Sequence, residues 1–227
     1  MDVCPAQRGG QNAYLRFRGD PGRAYGGEHL ADPVVALARA VIGIKKFNAD
    51  RQQPDAVPPL YRDNPAITFQ LTQLGGGGTA FEEDMGVPAE TWLHFWAEVY
   101  EGTTMEEFDA ALMSYIVREL DADPNTAGQR PVLVPTIRFL PGSSMPLDHP
   151  ALSVLRESYE SRSLRPYKQR GAPFACDGYI FNRYSPTPAL ILGPGGGAAH
   201  APDEFVLVAD LIDLAKICAR FVSRWCS

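Results

Sequence analysis

The sequence lacks several patterns, and each absence excludes a class of protein. Its four cysteines form no Cys-x-x-Cys pair and are too few and too widely spaced for a dense disulfide framework. We therefore interpret them as reduced thiols in a cytoplasmic protein. The longest apolar stretch, residues 33–44, is short and carries Arg39, so no helix is expected to cross a bilayer. A net charge of −6 argues against a nucleic-acid-binding face. The first residues show no signal-peptide pattern.

Glycine and proline are plentiful instead, with 21 glycines and 20 prolines among 227 residues. This excess predicts many turns and glycine-rich loops and disfavours a helical bundle. A chain that is 45% hydrophobic and 21% charged is typical of a globular protein. Its length suffices for one large domain or two small ones.

Residues 11–141 alternate between strand and helix patterns. Strands are predicted at 12–18, 66–72, 91–100 and 132–140. Helices are predicted at 32–47, with Asp32 as the N-cap, and from a Thr104–Glu107 capping box to about residue 120. Gly75 to Gly78 are expected to end the second strand. The order β-α-β-β-α-β predicts a ferredoxin-like unit, an antiparallel sheet with two helices on one face.

Residues 142–227 show a different pattern, typical of the closing α/β part of a larger sheet domain. We predict a helix capped by Asp148 and reaching about residue 164, and a short strand at 187–192 that runs into a glycine-rich segment. Cys218 is expected in the core. The last helix has an apolar face made of Leu207, Leu211, Leu214, Cys218, Phe221, Val222 and Trp225.

The segment from Gly193 to Glu204, GPGGGAAHAPDE, is the richest in chemistry. It follows the carboxyl end of a predicted strand, where open α/β sheets bind ligands. Consecutive glycines let backbone N–H groups approach an anion. His200, followed by Asp203 and Glu204, is a candidate metal or acid–base residue, the alternative being an ordinary turn residue.

This segment carries a family resemblance. Thr187-Pro, Gly193-Pro-Gly and His200-Ala-Pro-Asp-Glu204 together resemble the closing motif of the co-catalytic zinc hydrolases, which include acetylornithine deacetylase, succinyl-diaminopimelate desuccinylase and aminoacylase. The resemblance implies a mixed α+β and α/β fold. Residues 1–10 would be the end of a catalytic-domain strand or a leader. Residues 11–141 would form a ferredoxin-like lid, or dimerisation, domain, and residues 142–227 part of the zinc-hydrolase catalytic domain.

The resemblance also implies roles for single residues. His200 is similar to the imidazole ligand of one of two zinc ions. Arg138 lies near the position of an arginine that pairs the substrate carboxylate, although an exposed strand arginine is the alternative. Asp177 matches a Thr-Asp-Gly type segment, with a helix N-cap as its alternative. The loop that holds the substrate backbone or carboxylate would contain Gly193, Gly195 and Gly196.

The chain departs from the family pattern at two places. The lid histidine that polarises the substrate carbonyl aligns with Tyr25, and His29 lies four residues on, so either could serve the oxyanion. The His-x-Asp and Glu-Glu metal motifs of the family precede the lid, and this chain starts at or just before the lid.

We therefore predict the carboxyl-terminal portion of a zinc-dependent hydrolase of N-acyl or peptide bonds next to a carboxylate, inactive alone. The alternatives are a non-catalytic dimerisation module and one subunit of a split hydrolase completed in trans by an amino-terminal half. A homodimer through the lid is expected. The substrate would be a small N-acyl amino acid or peptide.

Overall fold

The computed structural model describes residues 1–20, 30–77, 87–163 and 165–227. Contacts divide the chain into two units. The central unit is Gly9–Gly142, and the terminal unit combines Met1–Arg8 with Ser143–Ser227. Each unit has its own hydrophobic core.

The described residues form strands and helices in a mixed order. Two single-turn 3-10 helices, Pro54–Ala56 and Pro59–Tyr61, follow the first α-helix. The elements are β1 (Val3–Gln7), β2 (Gly9–Arg18), α1 (Pro33–Asp50), β3 (Phe69–Gly77), β4 (Glu90–Val99), α2 (Met105–Asp121), β5 (Val132–Pro135), β6 (Ser143–Ser144), α3 (Pro150–Glu160), β7 (Gln169–Ala172), α4 (Gly178–Tyr184), β8 (Ile191–Leu192), β9 (Gly196–Gly197), β10 (Phe205–Val206) and α5 (Val208–Trp225).

The central unit is an antiparallel sheet in the order β3-β4-β2-β5. Residues at alternate positions of β2 and β4, such as Leu15 and Phe95, are fully buried in a core shared with the helices. The helices α1 and α2 pack closely at Gly43, where a Cβ would lie 2.9 Å from the Tyr115 carbonyl oxygen. The ferredoxin-like order expected from the sequence is confirmed, as is the mixed fold class.

The two helix starts in this unit follow the predicted local signals. The Asp32 carboxylate accepts hydrogen bonds from the backbone N–H groups of Val34 (2.8 Å) and Val35 (3.2 Å). At the second helix, the Thr104 hydroxyl accepts from the Glu107 N–H at 3.2 Å, and the Glu107 carboxylate accepts from the Thr104 N–H at 3.0 Å. Both predicted caps are confirmed, since each satisfies helical N–H groups that have no partner within the helix.

Several strand boundaries in this unit differ from prediction. β2 begins three residues earlier and β3 three residues later than predicted, and the carboxyl ends of β3 and β5 also differ. β3 does not end at Gly75 but continues to Gly77, because Trp92 lies across Gly75, where a Cβ would be 2.6 Å from the indole ring. The glycine thus accommodates a cross-strand ring instead of breaking the strand. β5 ends at Pro135 and not at residue 140, because proline has no N–H for the ladder. Beyond it the chain keeps separate contacts with β2, from the Thr136 N–H to the Asn12 carbonyl oxygen at 2.9 Å and through an isolated bridge between Gly10 and Leu140.

The terminal unit is built around β1. This strand pairs in parallel with β7 and antiparallel with both β6 and β8. Its core includes Val3, Leu152, Leu155 and Tyr159, and the Tyr159 hydroxyl donates to the Met1 carbonyl oxygen at 2.9 Å. The first strand of the chain is therefore bound to segments more than 130 residues away in sequence.

The predicted bounds of two elements in the terminal unit are wrong. The cap of α3 is His149 and not Asp148, since the His149 Nδ1 accepts the Ala151 N–H at 3.3 Å, and the helix ends at Glu160. The strand expected at 187–192 shortens to β8, because the Asn182 side chain binds both the N–H (2.8 Å) and the carbonyl (3.0 Å) of Ala189. That backbone is then engaged by a side chain and not by a neighbouring strand.

The apolar face predicted for α5 is also corrected. Its buried residues are Asp210 and Ile217, whereas Cys218 is exposed and not part of the core. Leu211 is 42% exposed and Trp225 45% exposed. Most of the apolar side of this helix therefore faces solvent. Among the described residues, no helix is both long and apolar enough to span a bilayer.

Candidate active site

The glycine-rich segment forms a hairpin in the terminal unit. β8 ends at Leu192, and the chain continues into β9, which pairs antiparallel with β10 through Gly197–Phe205 and Gly196–Val206. Residues 198–204 form the exposed tip of this hairpin. We call residues 193–206 the glycine hairpin.

A buried carboxylate anchors the hairpin. The Gly195 N–H donates to Asp210 Oδ2 at 2.9 Å, and the Gly195 carbonyl accepts the Leu207 N–H at 2.8 Å. Asp210 is 3% exposed and also accepts a hydrogen bond from Arg165 Nη1 at 3.0 Å. These contacts hold the pKa of the Asp210 carboxyl below its usual value, with the Gly195 N–H as the largest cause and the Arg165 charge a smaller one.

The glycines of the hairpin differ in their surroundings. A Cβ at Gly195 would lie 2.8 Å from Asp210 Oδ2, and one at Gly196 would lie 2.2 Å from the Phe205 carbonyl oxygen. A Cβ at Gly193 would meet nothing within 4 Å. Close packing of the hairpin therefore accounts for Gly195 and Gly196, and Gly193 is the position open to a ligand.

His200 lies at the hairpin tip and is exposed. Its backbone is left-handed, with φ of 61°, as is that of Ala198 (φ 55°) and Asp203 (φ 62°). The His200 N–H faces the Glu204 carboxylate at 3.4 Å. Non-glycine residues in this conformation cost about 1–3 kcal/mol each and tend to occur at functional sites, so the tip presents the imidazole of His200 at an energetic cost.

The described residues do not include a complete set of ligands for a metal ion. Within residues 1–20, 30–77, 87–163 and 165–227, no three His, Cys, Asp or Glu side chains are grouped as a ligand set. A zinc ion takes about four ligands. The described residues therefore do not form a metal site by themselves, and His200 could supply one ligand at most.

The structure places the predicted site residues on several elements of the two units. The three glycines and His200 share the glycine hairpin. Asp177 occupies the N-cap position of α4, but its side chain makes no capping hydrogen bond. Arg138 is exposed and lies beyond the end of β5, in the central unit. Tyr25 and His29 lie outside the described residues.

Sequence reasoning missed Asp210 and Arg165. A signal for the first was present, since Asp210 and Ile217 are seven residues apart and thus lie on the same face of a helix. An acidic residue on a buried helix face needs a partner. The partners, however, are 15 and 45 residues away, and no local pattern points to them.

An apolar cleft of about 500 Å³ lies in the same unit. Leu155, Leu190, Phe221 and Trp225 are among the residues that line it, with His149 at 5.9 Å between ring centroids from Trp225. Together with the exposed side of α5, the cleft leaves a large apolar surface on the terminal unit. Surfaces of this kind mark interaction sites.

The chain is similar in sequence to a known protein family and to a curated bacterial enzyme. The sequence model described as "Peptidase family M20/M25/M40" matches residues 4–224. The N-formyl-4-amino-5-aminomethyl-2-methylpyrimidine deformylase of Bacillus subtilis (strain 168) is 24% identical over 226 residues, covering 90% of this chain and 48% of the relative. This chain thus spans about half the length of that protein.

Solved structures share the fold. An amidase of the hydantoinase/carbamoylase family from Burkholderia phymatum superposes with a TM-score of 0.69 at 15% identity, covering 98% of this chain and 49% of the other. The aminopeptidase PepT from Bacillus cereus gives a TM-score of 0.67 at 14% identity, with coverage of 97% and 53%. At these identities the likeness concerns the fold, and again this chain corresponds to about half of each relative.

Proposed function

Because the chain belongs to peptidase family M20/M25/M40, we propose that it contributes the carboxyl-terminal share of a site that hydrolyses amide bonds, either N-acyl or peptide, next to a carboxylate. The glycine hairpin is the observation that carries this proposal. It combines an open backbone position at Gly193 with an exposed imidazole at His200 on a frame anchored by Asp210.

The residues of the hairpin would have separate tasks. Gly193 has no neighbour that a Cβ would meet, so a substrate carboxylate or amide can approach its backbone closely. His200 would hold a metal through its imidazole, which has no hydrogen-bonded ring partner among the described residues. His200 is the one zinc ligand that we propose among the described residues. The other ligands would have to come from outside the described residues.

The chain by itself is therefore proposed to be inactive. A second segment, joined to it or on another polypeptide, would supply the remaining ligands and the general base. Two observations support this: relatives of the chain are about twice its length, and α5 leaves Leu211 and Val222 exposed on an apolar side that a partner segment could cover.

The central unit is proposed as the lid, and its β3 as the edge through which two copies pair. Among the described residues, β3 hydrogen-bonds to β4 on one side and is an edge strand of the sheet. It carries the exposed Leu71 and Leu74, the latter 73% exposed. A long edge strand with apolar side chains is suited to pairing with another strand. Tyr25 or His29 would serve the oxyanion of the reaction from this unit.

The activities of the similar proteins support a proposal for the substrate class of this chain. They include a deformylase, an amidase of the hydantoinase/carbamoylase family and an aminopeptidase. We infer a small N-acyl compound or short peptide as the substrate, with Arg138 and Asp177 as further candidates for contact. Four free cysteines agree with the cytoplasm as the proposed compartment.

The test is reconstitution. The chain is purified alone and together with the polypeptide encoded directly upstream, and both are assayed with Zn²⁺ on N-formyl, N-carbamoyl and N-acetyl amino acids and on a tripeptide. We expect hydrolysis by the pair that His200→Ala abolishes. His94→Ala is the matched control, because His94 packs against the Tyr14 ring at 4.6 Å, in the other unit.

Two outcomes would contradict the proposal. An upstream polypeptide that contains His-x-Asp and Glu-Glu motifs, but yields no hydrolysis with the chain, would argue for a non-catalytic module. Hydrolysis that survives His200→Ala would remove His200 from the site.

A further inference from the structure

The open side of the central sheet carries aromatic side chains. Leu15 and Phe95 point into the core shared with the helices, so the alternate residues of β2 and β4 lie on the opposite side of the sheet. Tyr14, Trp92 and Trp96 are among these residues, and each is half-buried. Part of each ring therefore remains in contact with solvent, although the sheet supports it.

Both indoles lie close against a glycine on a neighbouring strand. A Cβ at Gly75 would lie 2.6 Å from the Trp92 ring, and one at Gly10 would lie 2.2 Å from the Trp96 ring. Glycine allows this close approach because it has no side chain. Since one side of each indole lies against the backbone, its solvent-exposed part is on the outer side, where another flat ring can stack.

Tyr14 and Trp92 form a right-angled corner. Their ring centroids are 5.3 Å apart, and their planes are inclined at 84°. Aromatic rings attract one another in offset-stacked and edge-to-face arrangements. A flat ligand that stacks on one of these two rings therefore meets the other edge to face. The two side chains already contact each other, so they lose little rotamer freedom when a ligand binds.

Arg16 places a positive charge at this corner. It is exposed, and its Cζ is 5.7 Å from the centre of the Tyr14 ring. Its ladder partners on the two neighbouring strands are Trp92 and Val132, and neither is acidic. Among the described residues, no carboxylate forms an ion pair with Arg16, so its planar guanidinium is available to an anion.

We propose that the corner formed by Tyr14, Trp92 and Arg16 binds a small planar heteroaromatic carboxylate. The ring stacks on the outer side of Trp92, and the carboxylate pairs with the Arg16 guanidinium. An electron-poor ring suits this place, because the face of an indole is negative. The inference does not depend on the proposed function, since the glycine hairpin takes no part in it.

The distribution of charge favours a small ligand over a nucleic acid, although sheets with aromatic side chains also bind single strands. Affinity for a nucleic acid comes from several cations that neutralise phosphates along its backbone. β2 carries two arginines on this side, Arg16 and Arg18, and Glu90 lies opposite the second. The chain as a whole has a net charge of −6. The corner therefore suits one anionic group more than a chain of phosphates.

The test is titration of nicotinate into the full chain with ¹⁵N-labelled tryptophan, followed through the three indole N–H resonances. Trp92 and Trp96 belong to the central unit, whereas Trp225 belongs to the terminal unit and is the internal control. We expect saturable shifts that are largest at Trp92 and absent at Trp225. The shift at Trp96 should be smaller, because its ladder partner on β2 is Asn12 and not an arginine.

Two analogues separate the contribution of the charge from that of the ring. Nicotinamide keeps the ring but is neutral, so it should bind about 10-fold more weakly than nicotinate. Cyclohexanecarboxylate keeps the charge but has no flat aromatic face, so it should bind several-fold more weakly.

Variants separate binding from folding. Arg16→Gln changes an exposed side chain, and it should weaken nicotinate binding about 10-fold while leaving nicotinamide binding unchanged. Arg62→Gln is the matched control, because Arg62 is an exposed arginine of the same unit that lies outside the sheet, and nicotinate binding should not change. Trp92→Leu should abolish the preference for nicotinate over cyclohexanecarboxylate, and an unchanged Trp96 resonance would report that the sheet is intact.

Several results would overturn the inference. They are the absence of saturable shifts, equal affinity for nicotinate and cyclohexanecarboxylate, unchanged nicotinate binding in Arg16→Gln, and shifts that are largest at Trp225. A single-stranded oligonucleotide that shifts Trp92 and binds more tightly than nicotinate would also overturn it, and would assign this side of the sheet to nucleic acid.

Discussion

The glycine hairpin offers a matched pair of substitutions, Gly196→Ala and Gly193→Ala. At Gly196 the new methyl group would lie 2.2 Å from the Phe205 carbonyl oxygen, while ordinary van der Waals contact begins at 3.4 Å. The two strands would have to separate by roughly 1.2 Å, and both partners are backbone, so no side chain can yield. At Gly193 the methyl group meets nothing within 4 Å.

Overpacking of this kind costs about 1–3 kcal/mol. β9 and β10 are only two residues long each. We therefore expect this free-energy cost to make local opening of the hairpin more frequent, without unfolding the rest of the chain. The Leu207 N–H, which donates to the Gly195 carbonyl at 2.8 Å, reports that opening. A penalty of 1–3 kcal/mol corresponds to hydrogen exchange at Leu207 faster by roughly 5- to 150-fold.

The assay is native-state hydrogen exchange of the two variants under identical conditions. Gly193→Ala should change the exchange rate of Leu207 less than about 2-fold, since a surface substitution without contacts has little effect on stability. It should nevertheless slow the hydrolysis of N-acetyl amino acids by the reconstituted pair, because its methyl group occupies the backbone position that the substrate is proposed to approach. Equal exchange at Leu207 in both variants would refute the steric reasoning, and so would a larger effect at Gly193.

Four further predictions concern the anchor, the helix start, the core and the sheet edge. The pKa of Asp210 is lower in the folded protein than its unfolded value of about 3.9, so its stabilisation is present above that value and is lost as pH falls through the folded pKa. Leu207 exchange should therefore become faster, after correction for intrinsic rates, only below about pH 4, and Asp210→Asn should remove that dependence. Thr104→Ala should lower the free energy of unfolding by about 1 kcal/mol in urea titrations, because the capping box is lost, whereas Thr103→Ala should not. Leu112→Ala should cost about 2–5 kcal/mol in the same titration, since Leu112 is fully buried, and a smaller loss would mean that the core collapses around the cavity. Leu74→Lys should shift sedimentation toward the monomer if β3 is the dimer edge, and an unchanged dimer would place the interface elsewhere.

The local signals of the sequence were the most informative. The caps at Asp32 and Thr104 were predicted correctly because each involves groups two or three residues apart. The strands predicted at 12–18 and 91–100 are found as β2 and β4, each with the predicted carboxyl end to within one residue. From these elements the order of the ferredoxin-like unit follows.

The errors occurred where a distant residue decides the outcome. Gly75 is typical of a strand break, but the Trp92 ring from the neighbouring strand occupies the space that its missing side chain leaves. Cys218 has the helical spacing of a core residue. It is exposed because α5 turns Asp210 and Ile217 toward the rest of its unit instead.

The residues of the candidate site also fall into two groups, those that the sequence predicted and those that only the structure shows. The glycines and His200 were visible in the sequence, because a family motif is contiguous and its residues lie on one hairpin. The hold of Asp210 on Gly195 and on Arg165 was not, since a buried carboxylate can accept from any donor that the fold brings within 3 Å.

The sequence by itself therefore determined the family, the order of the elements in the central unit, and the segment that carries the candidate site. Only the tertiary structure decided which glycine is open, which arginine lies at the hairpin and which side of α5 is buried. The physical reason is the sequence separation between the residues that each interaction joins. Capping and periodicity act between residues a few positions apart, whereas close packing and buried charge pairing join residues that only the folded chain makes neighbours.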